Sequence, residues 1–247
     1  MFTTFANRES HMKKIIHKSN SRNSANFGWL KVNHSFSFAN WYDPNKINFG
    51  ALRVLNDDTI QGQKGFDTHP HDNMEIITIP LSGPLAHKDS MGNASVIKEG
   101  EIQVMSAGRG VRHSENNPST DFTNLFQIWI FPNKKNVEPR YDQISIDVAK
   151  MKNNFLQLIS PFPEDEGSWI YQNAWLHMAE IEQGKELIYK IHSSENGIYS
   201  MVIHGNTNIQ GDTLEEKDAI GIWEEKEVTF KAITDCKVMV IEVPMEF

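Results

Sequence analysis

Two short stretches of this chain carry residues that could do chemistry, His69-Pro70-His71 and His113-Ser114-Glu115. Each sets two donor side chains at i and i+2, the spacing that puts them on one face of a β-strand. Two such strands facing each other inside a β-barrel aim three imidazoles and a carboxylate at one point. Neutral imidazole binds Fe, Ni, Cu, Co, Mn and Zn, and an added carboxylate shifts preference away from Cu(I). Such a donor set leaves positions open on a five- or six-coordinate ion, as substrate binding at the metal requires. The spacing thus predicts one divalent transition metal, with its identity open among those six. Imidazole binds metal only when neutral, so binding should weaken as pH falls through the imidazole range. Pro70 supplies no N–H and stiffens the segment that presents both rings. One histidine among the 10 in the chain would carry no such reading. Two paired motifs, each beside a Gly-rich turn, do.

These motifs need strands to position them, and the chain reads as strands. Short apolar runs alternate with Gly, Asn, Asp and Pro. Gly50–Leu55 is expected to stop at an Asn56-Asp57-Asp58 turn. Met74–Leu81, Gly100–Met105 and Leu125–Phe131 are further strands, and His87 to Asn93 reads as a hairpin turn. Pro132 to Pro139 is polar and Pro-bounded, a natural linker. Ala149–Leu158 fits a short helix or a strand. A second block follows, with strands at Leu187–His192, Gly197–His204, Asn206–Ile209, Ala219–Trp223, Val228–Ala232 and Lys237–Val243.

The two blocks share a faint repeat. Leu81-Ser82-Gly83 matches Ile203-His204-Gly205, and the step at Lys98 to Ile102 matches Glu216 to Ile220. Aligning these sets His69 against Ile191, His71 against Ser193, His113 against Lys231 and Glu115 against Ile233. The second block lacks every candidate ligand, so the metal belongs to the first alone. The expected fold is all-β: two tandem antiparallel β-barrels with few short helices. Residues 13–140 form the metal-binding barrel and 141–247 the ligand-free one. Residues 1–12 read as a leader or an expression remnant.

Totals narrow the function further. The 247 residues are 39% hydrophobic and 23% charged, an ordinary globular balance. The net charge of -8 gives no attraction to nucleic acid or anionic lipid. No run approaches the roughly 18 apolar residues that span a bilayer. Cys236 is the only cysteine, which excludes an intrachain disulfide and a Cys-rich metal centre, and fits a reducing, cytoplasmic setting.

The flanks of the two motifs resemble a known family. Gly65-Phe66-Asp67-Thr68-His69-Pro70-His71-Asp72-Asn73-Met74-Glu75 and Met105-Ser106-Ala107-Gly108-Arg109-Gly110-Val111-Arg112-His113-Ser114-Glu115 are similar to the two signature stretches of pirins. So are Ser35-Phe36-Ser37-Phe38-Ala39, Asp89-Ser90-Met91-Gly92 and Gln127-Ile128-Trp129. The resemblance covers most of residues 26–145 and continues more weakly through Asp218-Ala219-Ile220-Gly221-Ile222-Trp223. It implies a bicupin of the cupin superfamily with a metal in the N-terminal barrel, held by His69, His71, His113 and Glu115. General cupins take their carboxylate from the first motif, at the position of Glu75, which would share the His71 face on a straight strand. Pirins use the Glu after the last histidine, here Glu115.

The resemblance also implies a reaction. Several bacterial pirins cleave quercetin, a quercetin 2,3-dioxygenase-type activity. A flavonol hydroxyl would lose its proton to Glu115 as catalytic base, O2 would add across the central ring, CO would leave and an ester would remain. Phe49, Phe66, Met74, Met105 and Phe126 could line a slot for the planar substrate, though core packing is their default role. Arg109 or Arg112 could steer an anion, or be a solvated loop charge. Asp67 could orient a ligand imidazole. Cys236 is expected to be buried and inert. The family also includes co-regulators, which implies an alternative: a metal-bearing regulatory protein acting through a protein partner. A monomer is expected, since two barrels cover each other's sheets.

Overall fold

A computed structural model describes residues 12–247; the expected leader lies outside the described residues except for Met12. The first half contributes β1 (Lys13–His17), β2 (Asn23–Asn26), β3 (Leu30–His34), β4 (Leu52–Ile60), β5 (Gly65–His71), β6 (Glu75–Ser82), β7 (Leu85–Asp89), β8 (Ala94–Ile97), β9 (Glu101–Ser106), β10 (Val111–Asn116) and β11 (Thr123–Ile130). The second half contributes β12 (Arg140–Ser145), β13 (Leu156–Ser160), β14 (Ser168–Trp169), β15 (Trp175–Ile181), β16 (Glu186–Lys190), β17 (Asn196–His204), β18 (Thr207–Ile209), β19 (Asp212–Leu214), β20 (Ala219–Trp223), β21 (Glu227–Ala232) and β22 (Cys236–Pro244). Short 3-10 turns at Ser19–Ser21 and Val148–Met151 are the only helical pieces among the described residues. None of these is long and apolar enough to cross a membrane.

Each barrel is a seven-stranded sheet closed against a four-stranded one. The first pairs the order β12-β9-β6-β11-β4-β3-β2 with β5-β10-β7-β8. The second pairs β1-β20-β17-β22-β15-β13-β14 with β16-β21-β18-β19. The orders match strand for strand at their centres, with β6, β9, β11 and β4 standing where β17, β20, β22 and β15 stand. Their ends are exchanged: β1 from the start of the chain edges the second barrel, and β12 from beyond the linker edges the first. The sheets therefore do not divide at residues 140 and 141.

Side-chain alternation on the large sheets explains the cores. One face meets the other barrel, where Leu55, Ile77, Ile79, Phe126 and Ile128 pack with Leu176, Met178, Met201, Met239 and Ile241. Full burial of each such side chain contributes roughly 1.5–3 kcal/mol. The opposite face looks into its own barrel. Across the barrel interface, Lys217 Nζ lies 3.0 Å from Asp57 Oδ2.

Several elements depart from the sequence reading. The Asn56-Asp57-Asp58 segment is not a turn: β4 runs through it to Ile60, with all three residues buried. Asp57 faces the ion pair with Lys217 and its neighbours face the barrel interior, so polar residues here mark a polar interior and not a chain reversal. His87 and Asp89 lie within β7, and the hairpin reverses only at Ser90 to Asn93. Ala149–Leu158 divides into the end of a 3-10 turn and the start of β13.

Candidate metal centre

Strands β5 and β10 pair with His69 opposite His113. Gly65 permits their close approach, since a Cβ there would stand 2.1 Å from Glu115 O. An irregularity between His113 and Glu115 sets Glu115 opposite Phe66, leaving one extra residue on β5. That extra residue turns Phe66 to the same side as His69, and both line one cavity.

The three imidazoles converge. Their ring centroids are 4.5 Å apart for His69 and His113, and 4.9 Å for His71 with either. One nitrogen from each lies within 4.8 Å of the others, a spacing that a single ion could bridge. His113 is buried and its Nε2 has no hydrogen-bond partner, the orphaned donor atom that a metal would satisfy. His69 Nδ1 lies 2.7 Å from Asp67 O. A carbonyl only accepts, so Nδ1 carries the hydrogen and Nε2 is left bare for a metal. Asp67 thus orients the ring through its backbone and not through its carboxylate. Burial, then the other histidines, lowers the His71 pKa to about 4 and that of His113 to about 2. Both rings stay neutral, as ligation requires.

Glu115 sits behind His113, in a second cluster with His113 and His87. Gln127 Nε2 donates to both of its oxygens at 2.8 Å, and Thr78 Oγ1 to one at 3.3 Å. Burial pushes its pKa up to about 7 against those hydrogen bonds. Glu75 is elsewhere. The chain bends at Asn73, at φ 46°, so the straight-strand parity from His71 is lost. Glu75 Oε2 accepts from Ser106 Oγ at 2.6 Å, and burial raises its pKa to about 7.

The cavity measures about 540 Å³ and is lined by aromatic residues including Trp29, Phe38, Phe66 and Trp129. Of the five residues expected to line it, only Phe66 does. Phe49, just before β4, and Phe126, turned outward by alternation on β11, both face the core between the barrels. Met105 lies in a small core cluster against which Met74 packs. Arg109 is exposed and pairs with Glu138 at 2.8 Å, and Arg112 is exposed on β10. Cys236 is buried in the second barrel, and burial pushes its thiol pKa up. The sequence reading missed His87, Thr78 and Asp58. The His87-Lys88-Asp89 spacing, i and i+2 like the ligand pairs, was the available signal for the first.

The matching positions of the second barrel follow from strand pairing. Ile209 on β18 pairs with Phe230 as His87 on β7 pairs with Glu115. Phe230 therefore stands for Glu115, Val228 for His113 and Ile209 for His87. Val228 pairs with Tyr189, which stands for His69. None of these four matched positions carries an imidazole or a carboxylate.

Comparison with known proteins agrees with this architecture. The Pirin family model matches residues 17–130, and the model of the quercetinase C-terminal cupin domain matches residues 157–243. The chain is 40% identical over 230 residues to quercetin 2,3-dioxygenase of Escherichia coli K12, covering 93% of this chain and 98% of that one. It is 37% identical over 219 residues to a pirin-like protein of Caulobacter vibrioides, covering 88% and 94%. A crystal structure of a bacterial pirin from Escherichia coli in complex with nickel(II) superposes with a TM-score of 0.89 at 39% identity, covering 94% of this chain and 99% of that one. The chain belongs to the pirin family.

Proposed function

We propose that this pirin holds one divalent transition metal on His69, His71 and His113 with Glu115 beside them, and opens flavonols such as quercetin with O2. The observation that carries the proposal is the convergence of three neutral imidazoles at a cavity large enough for a planar polyphenol. A bound metal would supply a Lewis acid that lowers the pKa of a flavonol hydroxyl. The chain's residues do the rest. Glu115, on the cavity wall, takes the hydroxyl proton onto a carboxylate oxygen. Gln127 and Thr78 keep that carboxylate in place. Trp29, Phe38, Phe66 and Trp129 sandwich the rings and exclude water. Flavonol and O2 become a depside ester and CO, with both oxygen atoms kept in the ester product.

The names of relatives and the nickel complex support the reading. A purely regulatory metal would suit a closed site; open access through the cavity favours turnover. The test is aerobic quercetin consumption by apo protein reloaded with each candidate metal in turn, with CO measured in the headspace. Metal-dependent loss of quercetin with CO release is expected. No turnover with any verified metal load would leave the regulatory role as the better reading.

A further inference from the structure

We infer that Asp89 and His87 form a fixed relay that sets which nitrogen of His113 faces the metal, making His87 a positioning residue of the centre. The inference rests on the metal-centre reading above. It also gives a use to Asp89-Ser90-Met91-Gly92, a signature stretch that the proposed reaction leaves idle.

The relay starts in the hairpin between β7 and β8. Asp89 Oδ1 accepts from Met91 N at 2.9 Å and Asn93 N at 3.0 Å, and Oδ2 accepts from Asn93 Nδ2 at 2.8 Å. Burial opposes charge on Asp89, but these hydrogen bonds hold its carboxyl below the usual range. Both of its oxygens are therefore engaged as acceptors. His87 Nε2 lies 3.2 Å from Asp89 Oδ2 and must carry the hydrogen of that contact. A ring that gives its one hydrogen to Asp89 through Nε2 leaves Nδ1 bare. That bare nitrogen faces His113 Nδ1 at 3.4 Å. His113 Nδ1 must then carry its own hydrogen, which leaves Nε2 as the lone pair. Nε2 is the buried atom without a protein partner. The turn thus fixes the tautomer of a ring two groups away.

The relay is enclosed. The Tyr141 ring, on the exchanged strand β12, lies over His87 with centroids 4.9 Å apart. The barrel frame does not require the relay, because Ile209 and Val228 fill the same two places in the second barrel. A rival arrangement exists on the same residues, with His87 itself binding the ion alongside His113 and Glu115.

The test is nickel affinity, by chelator competition, of the full chain and its His87→Leu and His87→Gln variants, with the visible spectrum of each cobalt(II) form. His87→Leu should weaken nickel about 10–100-fold at unchanged stoichiometry and shift the cobalt bands. His87→Gln keeps an acceptor for His113 Nδ1 and should recover most of both. Unchanged affinity and spectrum in His87→Leu would overturn the inference. Complete loss of metal from both folded variants would also overturn it, by making His87 a ligand. A wild-type chain that takes up no nickel would remove the metal-centre reading and this inference together.

Discussion

On the inward face of the first barrel's large sheet stand Asn56, Asp58, Thr78, Gln103 and Gln127. On the same face of the second stand His177, Ala179, Ser200, Ile220 and Val240, matched through the strand pairings. In the first barrel, Asn56 Oδ1, Asp58 Oδ1, Gln127 Oε1 and both polar atoms of the Gln103 amide are buried without partners. Asn56, Asp58 and Gln127 line the cavity. The second barrel is mostly hydrocarbon inside, and its one polar knot is fully made. Glu242 accepts from Tyr189 Oη at 2.9 Å, from His192 N at 2.9 Å and from Asn196 Nδ2 at 2.7 Å, and lies 2.7 Å from His192 Nδ1. One frame therefore folds with either filling. Unsatisfied polarity in the first barrel belongs to the site, and satisfied polarity in the second belongs to the fold.

The comparison can be broken most severely at His113. His113→Ala should remove nearly all bound metal and any oxygenase activity while the circular dichroism spectrum stays native; retention of metal would sink the ligand assignment. Glu115→Gln should keep more metal and slow turnover by about 10²–10⁴-fold if the carboxylate is the base. Glu75→Gln, out of the centre, should change turnover far less, and the reverse order would make Glu75 the functional carboxylate. In the second barrel the effect should fall on stability. Glu242→Ala strands the buried donors of Tyr189 and Asn196 and should cost roughly 3–5 kcal/mol in urea unfolding, with metal per folded chain unchanged.

The smallest effect sharpens the contrast through pH. Burial, then the neighbouring Asp57 and Glu115, pushes the Asp58 pKa up to about 8. Its folded pKa thus exceeds the unfolded value of 3.8, so the folded state binds a proton more tightly. Stability is lost as pH rises from about 4 to about 8 and is level above that. Asp58→Asn escapes this loss. It should equal the wild type near pH 4 and become increasingly more stable than it as pH rises toward 8. A pH-independent difference between the two would show that Asp58 titrates normally.

The spacing of His69, His71 and His113 was legible because two-residue strand periodicity is a local property. The second barrel's counterparts of these residues were misaligned. The reading set Lys231 and Ile233 against His113 and Glu115, where pairing sets Val228 and Phe230. The turns before β10 and β21 differ in length, and a sequence offset carried across them slips. Phe126 was assigned to the slot because hydrophobicity does not say which side of a two-faced sheet a ring takes. His87 was hidden in an apparent turn because polar residues inside a barrel resemble polar residues in a loop. The exchange of β1 and β12 had no local signal at all, since Lys13 pairs with Trp223.

That exchange orders the assembly of the chain as it leaves the ribosome. β12 ends at Ser145, so the β-strands that frame the metal pocket, with the Tyr141 cover, are all present before most of the second barrel has been made. β1 precedes the other described strands and has no partner until β20 emerges. A waiting strand is a hazard, because it can pair with a neighbouring nascent chain. Lys13 and Lys14 stand on this one, exposed even in the finished fold, where they reach Glu224 and Asp212. Charged side chains of this kind oppose pairing of an open strand with another chain.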